Sequence, residues 1–267
     1  MLTFFNYLYQ THEVALFVLL SLFFMSVSIC ALFVVRRFVP LKLRYIENPV
    51  LGNMSALISI IFGVLAGLIA LYLINNISET GTAVQREANA IANLYRDSRW
   101  LKEPMRTSIQ NDLKAYIERV VHVEWPRMQR GEAITHNGDI NIDSISEHLR
   151  LHPLNNQADI LIVKDMLEEI KSLYNSREHR IASGDSALNP EIWIVIIIGT
   201  ILTISINYLF GMHFYLHVIT VCAATLMCSS MLFLLYSLSR PFEGEYVIEA
   251  DAFKPVHEFI LGTTNPP

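Results

Sequence analysis

Four stretches of the chain are almost unbroken apolar sequence: residues 14–35, 55–75, 192–210 and 216–238. Each is roughly 20 residues, the length that carries a helix across the hydrocarbon of a bilayer. The second stretch has no charge inside it and passes, without a proline, into the amphipathic segment 82–101. The pattern therefore predicts one long helix that joins a membrane span to a polar region.

Residues 76–190 form the only sizeable polar block. Val84, Ala88, Ile91, Tyr95 and Leu101 recur at helical spacing. Pro104 opens a second helix, where Met105, Ile109, Leu113, Tyr116, Ile117, Val120 and Val121 form an apolar stripe. This helix is expected to stop at Glu124-Trp125-Pro126, because proline cannot continue it. Residues 127–156, with Gly131, Asn137-Gly138 and Pro153, read mainly as loop. A third helix is predicted over 157–182, burying Val163, Met166, Leu167, Ile170, Leu173 and Tyr174. No strand-type alternation appears. The fold class is all-α: a four-span transmembrane helical bundle with a helical extramembrane domain inserted between spans two and three. The expected divisions are a first transmembrane hairpin (1–75), the helical domain (76–190), a second transmembrane hairpin (191–238) and a C-terminal tail (239–267).

Ser59, Gly63 and Gly67 recur every four residues in the second span and share one face. Small residues at this spacing let helix backbones approach closely, either within the chain or at a seam between subunits. Thr200, Thr203, Ser205 and Asn207 lie in the third span, and Thr220, Cys222, Thr225, Cys228 and Ser229 in the fourth. Polar groups in lipid need partners, so these are expected to face protein or water.

Composition agrees with this layout. Hydrophobic residues make up 52% of the chain and charged residues 17%, against about 25% charged in soluble proteins. The net charge of −5 argues against a nucleic-acid partner. Cys30, Cys222 and Cys228 all sit in apolar runs and form no disulfide or metal framework. The N-terminus has no basic region and no small-residue cleavage site, so the first span reads as retained. Aromatic residues Phe4, Phe5, Tyr7 and Tyr9 precede it, as at a membrane interface. Arg36, Arg37, Lys42 and Arg44 follow it, with only Glu47 against them. The positive-inside rule then places 36–54 in the cytoplasm, and the helical domain and both termini outside it. The 14 Lys and Arg of the insert weigh the other way, but long loops count for less in the rule.

Candidate chemistry is sparse. Asp139-Ile140-Asn141-Ile142-Asp143 opens like a calcium loop, but Ser144 and Arg150 stand where an EF-hand needs Gly and Glu. His122-Val123-Glu124 reads as a solvated helix end, and His148 and His152 lack further ligands. His213 and His217 flank the turn between the last two spans, at the interface. Neither a metal nor another cofactor is expected. No phosphate loop, serine elbow or Cys/His set supports an enzyme activity. Arg86, Glu87 and Arg240 lie near the predicted membrane boundary, as an ion pair or headgroup contact or as a charged ring at a pore vestibule.

The run from Glu87 to Arg96, E-A-N-A-I-A-N-L-Y-R with Tyr95 and Arg96 at its end, resembles the bestrophin-like domain family. So do Glu124, Trp125 and Pro126, and Arg240-Pro241-Phe242-Glu243-Gly244 after the last span. Tyr116, Trp193, the double arginine and Asn48 extend the resemblance over nearly the whole chain. It implies a distant relation to bestrophins, pentameric anion channels whose second span lines the pore with apolar side chains. On that analogy Ile58, Phe62, Leu65 and Ile69, one helical stripe, are pore-lining candidates. The implied function is a homo-oligomeric channel in the bacterial inner membrane, with lipid and inorganic anions as its partners. The alternative is a non-conducting membrane sensor or scaffold whose helical domain binds a partner or ligand. Bestrophins keep their termini and large helical region in the cytoplasm, the reverse of the orientation read from the charges.

Overall fold

The structure, a computed structural model, describes residues 13–39, 48–134, 140–151, 157–184, 188–244 and 248–262. The aromatic N-terminal segment and Lys42, Arg44, Glu47, Asn137, Gly138, Asp139, His152 and Pro153 lie outside the described residues. In chain order the helices are α1 Glu13–Phe38, α2 Asn48–Asp97, α3 Met105–Arg119, α4 Trp125–Gln129, α5 Ile140–Arg150, α6 Gln157–Gly184, α7 Pro190–Tyr208, α8 Phe214–Leu238 and α9 Lys254–Gly262. Among the described residues there is no strand. Four helices, α1, α2, α7 and α8, are long and apolar enough to cross a membrane. The all-α, four-span reading therefore stands, and α2 is the single long helix that the absence of proline predicts.

The chain separates into two compact units. One comprises Met1–Asn75 and Ser186–Arg240, the other Asn76–Asp185 and Pro241–Pro267. In the first unit α1 packs along α8 and against α7. Hydroxyls make the α1–α8 seam: Thr225 donates to Ser28 at 2.8 Å, and Ser229 to Ser21 at 3.2 Å. The Ser28 and Tyr208 hydroxyls lie 2.7 Å apart. Thr200, Thr203 and Asn207 return their donors to carbonyls four residues back in α7. Six of the polar residues expected to need partners thus find them, Thr220 among them through the His217 carbonyl. Asn48 clamps the α7–α8 turn, donating to the Gly211 carbonyl at 3.0 Å and accepting from its N–H at 2.8 Å. His217 is fully buried beside the same turn. Its Nε2 donates to the Asn207 carbonyl at 2.9 Å, so Nδ1 accepts from Arg36 at 3.3 Å. The Arg36 guanidinium also lies 5.2 Å from the Phe214 ring centroid.

The second unit has a core of helix-borne apolar side chains that includes Ile91, Leu94, Ile109, Leu113, Ile145 and Met166. Here α3 packs against α5, α5 against α6 and α9 against α3. Three expectations change. Residues 140–150, expected to be loop, form α5, whose Ile142, Ile145 and Leu149 are buried at i, i+3 and i+7. Pro126 does not end the path of α3. A π-helical turn, Val120–Glu124, runs without a break into α4, with the Trp125 N–H bonded to the Val120 carbonyl, and Pro126 follows as the second residue of α4. Residues 254–262 are no free tail: α9 buries Val256 and Ile260, with Phe253 just before it.

Candidate functional site

Within the first unit, α2 presents two different sides. Phe62, Ala66, Ala70 and Leu73 are buried. Phe62 sits against Gly199 of α7 so closely that a Cβ on Gly199 would lie 2.5 Å from the Phe62 ring. Of the stripe read as pore-lining, Ile58 and Ile69 are half-buried and Leu65 is exposed. That stripe therefore does not form one open face, because its largest member fills the bundle. Within the chain the close helix approach is made by Gly199, not by Gly63 or Gly67. A Cβ at Gly63 or Gly67 would meet nothing within 4 Å, so neither packs against another span of its own chain. Ser59 is exposed as well. The uncovered side carries Leu57, Ile61, Val64 and Leu68, each 59–66% exposed and spaced i, i+4, i+7 and i+11. A groove of about 470 Å³ runs beside it, lined by Ser59, Phe62, Gly63, Thr203, Asn207 and Cys228.

The second unit holds a buried charge network. Arg180, fully buried on α6, donates from Nε to Glu87 Oε2 at 2.7 Å and from Nη2 to Glu87 Oε1 at 2.9 Å. The same Nη2 reaches Glu124 Oε2 at 2.9 Å, and Nη1 reaches the Met128 sulfur at 3.2 Å. Arg177 donates to Glu124 Oε2 at 2.8 Å, and the Tyr116 hydroxyl to Glu87 Oε1 at 2.6 Å. Two cations thus face two anions. Burial pushes the Glu124 carboxyl up, but the hydrogen bonds and charges of Arg177 and Arg180 outweigh it and hold the group below the usual carboxylate range. Burial also works against charge on Arg180; the carboxylates, Glu87 first, overcome it and keep the guanidinium charged. The Tyr116 hydroxyl is pushed well up, first by burial and then by the Glu87 charge.

Of the family-motif residues, Glu124 belongs to this network and Trp125 touches it. Trp125 packs edge-on against Phe242 at 5.6 Å and Phe253 at 5.7 Å, with Arg180 over its ring at 5.7 Å. Tyr95 meets Phe259 at 5.7 Å. Arg96 folds back onto its own helix, donating to the Ala92 carbonyl and the Asn93 amide oxygen. Pro241 and Phe242 are buried. Gly244 has φ +104 and Gly131 has φ +68, left-handed backbone that suits glycine. A Cβ at Gly131 would also lie 2.7 Å from a Glu243 oxygen.

The vestibule candidates are not equivalent. Glu87 is spent on Arg180 and Tyr116. Its neighbour Arg86 points outward into a cleft of about 490 Å³ that also involves Glu79, Thr82, Asn175 and His179. Arg240, in the first unit, lies over the Tyr236 ring at 4.8 Å.

In the sequence Arg177 and Arg180 count only among the charges of the insert near the third span. The signal was present: positions 163, 166, 170, 173, 177 and 180 form one continuous buried stripe of α6, and its last two members are arginines.

No curated protein matches the chain. Among solved structures, a bacterial bestrophin homologue from Klebsiella pneumoniae superposes with a TM-score of 0.66 at 13% identity, covering 94% of this chain and 99% of that one. A single-site variant of that homologue gives 0.66 at 12% identity over the same shares. A protein described only as a membrane protein variant gives 0.65 at 12% identity, again over 94% and 99%. At such identity the likeness shows a common fold. Residues 22–253 match the Bestrophin-like domain; with its four apolar spanning helices, the chain is an integral membrane protein that belongs to the bestrophin-like family.

Proposed function

We propose that the protein is a homo-oligomeric ion channel that passes anions, with α2 of each subunit lining the pore. The observation that carries this reading is the uncovered stripe Leu57, Ile61, Val64 and Leu68. It lies across the helix from Phe62, so the subunit's own packing leaves it open. Gly63 and Gly67, also open, suit close approach between neighbouring subunits. Five copies, as the family relation suggests, would bring five such stripes to one axis. A ring of large aliphatic side chains of this kind holds a pore shut by dewetting until it widens or gains polar atoms.

The same relation favours a cytoplasmic helical unit with cytoplasmic termini, in the bacterial inner membrane. The basic cluster after α1 argued the other way, but Arg36 has a structural task there, against Phe214 and His217.

The test has two stages. Native mass spectrometry of the purified protein counts the subunits, and planar-bilayer recording across a KCl gradient reads the reversal potential. A reversal near the chloride potential is expected, together with higher basal conductance for Ile61→Thr than for the parent. A monomer, a silent oligomer or a reversal near the potassium potential would overturn the corresponding part of the proposal.

A further inference from the structure

The π-helical turn between α3 and α4 does more than steer the chain past Pro126. Such turns insert one residue into the helical path and recur where a side chain has to be re-aimed at a functional position. Here the central residue of the turn is His122, which is exposed. It faces a second histidine, His257 of α9, from far along the chain. Their ring centroids are 5.7 Å apart with the planes at 77°. Both residues belong to the second unit.

That separation is ordinary for a ring pair, and two imidazoles at this spacing also fit a shared metal ion. A Zn–N bond of about 2.0–2.1 Å puts each imidazole centroid about 3.2 Å from the metal, so two rings subtending a tetrahedral-to-trigonal angle have centroids about 5.2–5.6 Å apart. The observed distance needs a closing movement of only a few tenths of an ångström at most. Rotation about the metal–nitrogen bond leaves the interplanar angle free.

We propose that His122 and His257 form a two-imidazole site for a zinc-like divalent transition-metal ion. Among the described residues no third His, Cys, Asp or Glu completes a cluster. With two protein ligands, fewer than the three of a catalytic zinc site, the remaining positions on the metal would be filled by water. Occupancy would tie α9 to the turn that ends in Glu124, and so to the residue that holds Arg177 and Arg180. The metal would act as a removable clasp on the C-terminal helix. A ligand that binds only the folded arrangement stabilises it in proportion to its occupancy.

The test uses the full-length, tag-free protein in detergent, with zinc chloride as the probe. Zinc should raise the thermal unfolding midpoint of the parent and slow proteolysis within 254–262. His122→Phe and His257→Phe keep an aromatic ring in the contact but remove the donor nitrogen, and each should lose the whole zinc-dependent rise. His179→Ala, on α6, should keep it. Copper(II) bound to the parent should show two equivalent nitrogens by electron paramagnetic resonance, a readout that needs no variant to fold. A parent without a zinc response, Phe variants with an undiminished one, or a single-nitrogen copper spectrum would each reduce the pair to a ring contact and overturn the site.

Discussion

Replacing Arg180 by Met removes the centre of the buried charge network while keeping most of the side chain's length. Glu87 then loses its hydrogen bonds of 2.7 and 2.9 Å and retains only the Tyr116 hydroxyl. Glu124 loses one bond of 2.9 Å and retains Arg177. The cluster goes from charge balance to one uncompensated negative charge at a position with no exposure. Breaking a buried pair from one side in this way costs about 3–5 kcal/mol. For a unit of this size that lowers the unfolding midpoint by roughly 8–20 °C. Trp125 is the natural reporter, because it is 3% exposed and lies under the Arg180 guanidinium. Its emission should be followed on heating in a chain whose Trp100 and Trp193 are replaced by Phe. Adding Glu87→Leu to Arg180→Met should recover most of the loss, since exchanging a whole buried pair for apolar groups is often near neutral. A fall within about 2 °C for Arg180→Met, or a double variant no better than the single, would refute the view that these charges depend on each other in the absence of water.

Gly199→Ala should destabilise the first unit by about 1–3 kcal/mol through overpacking against Phe62, and Phe62→Leu in the same chain should restore it; unfolding in detergent reads both. Gly63→Leu or Gly67→Leu should leave the subunit folded, because a Cβ at either position meets nothing within 4 Å in its own chain, but should reduce the oligomer seen by light scattering; unchanged size would remove that face as a seam. The Glu124 carboxyl is held low in the folded state, so its contribution is present above the unfolded value of about 4.3 and is lost as pH falls through the lower folded value; Glu124→Gln should flatten this acid limb of the stability profile relative to the parent. A Cys at Asn53 should label from outside intact cells and one at Lys102 only after permeabilisation, and the reverse pattern would restore the orientation read from the basic cluster.

Much of this architecture is legible in the sequence because a bilayer imposes a strong length rule. The spans expected at 192–210 and 216–238 appear as Pro190–Tyr208 and Phe214–Leu238, and the lack of proline after Ile74 was enough to predict α2. Short helices were harder. α5 has only three buried apolar positions in a stretch rich in turn-forming residues, so its periodicity was outweighed. Pro126 does not end the helical path because the π turn just before it carries that path on into α4, a feature that residue spacing does not reveal. Arg177 and Arg180 were hidden by type: charged residues default to solvent, and only their place at the end of an apolar stripe marks them as buried. Which face of α2 turns inward is not written in its own sequence. One helix's sequence shows its stripes, but which stripe turns inward is decided by the partner, here by the missing side chain of Gly199.

The residues that carry the resemblance do a different job from those proposed to conduct. Glu124 holds two arginines, Trp125 packs two phenylalanines, and Gly131 and Gly244 take backbone angles that glycine favours. Each is tied to specific partners, so its type is hard to change. Leu57, Ile61, Val64 and Leu68 meet little within the subunit, and a dewetting ring asks only that they be apolar and bulky. It follows that substitutions in the network should change stability before they change permeation, and substitutions in the stripe should do the opposite. Measuring unfolding and conductance on the same pair, Arg180→Met and Ile61→Thr, separates the two roles; a stripe variant that unfolds the subunit would place these aliphatic residues in the packing and leave the pore without a lining.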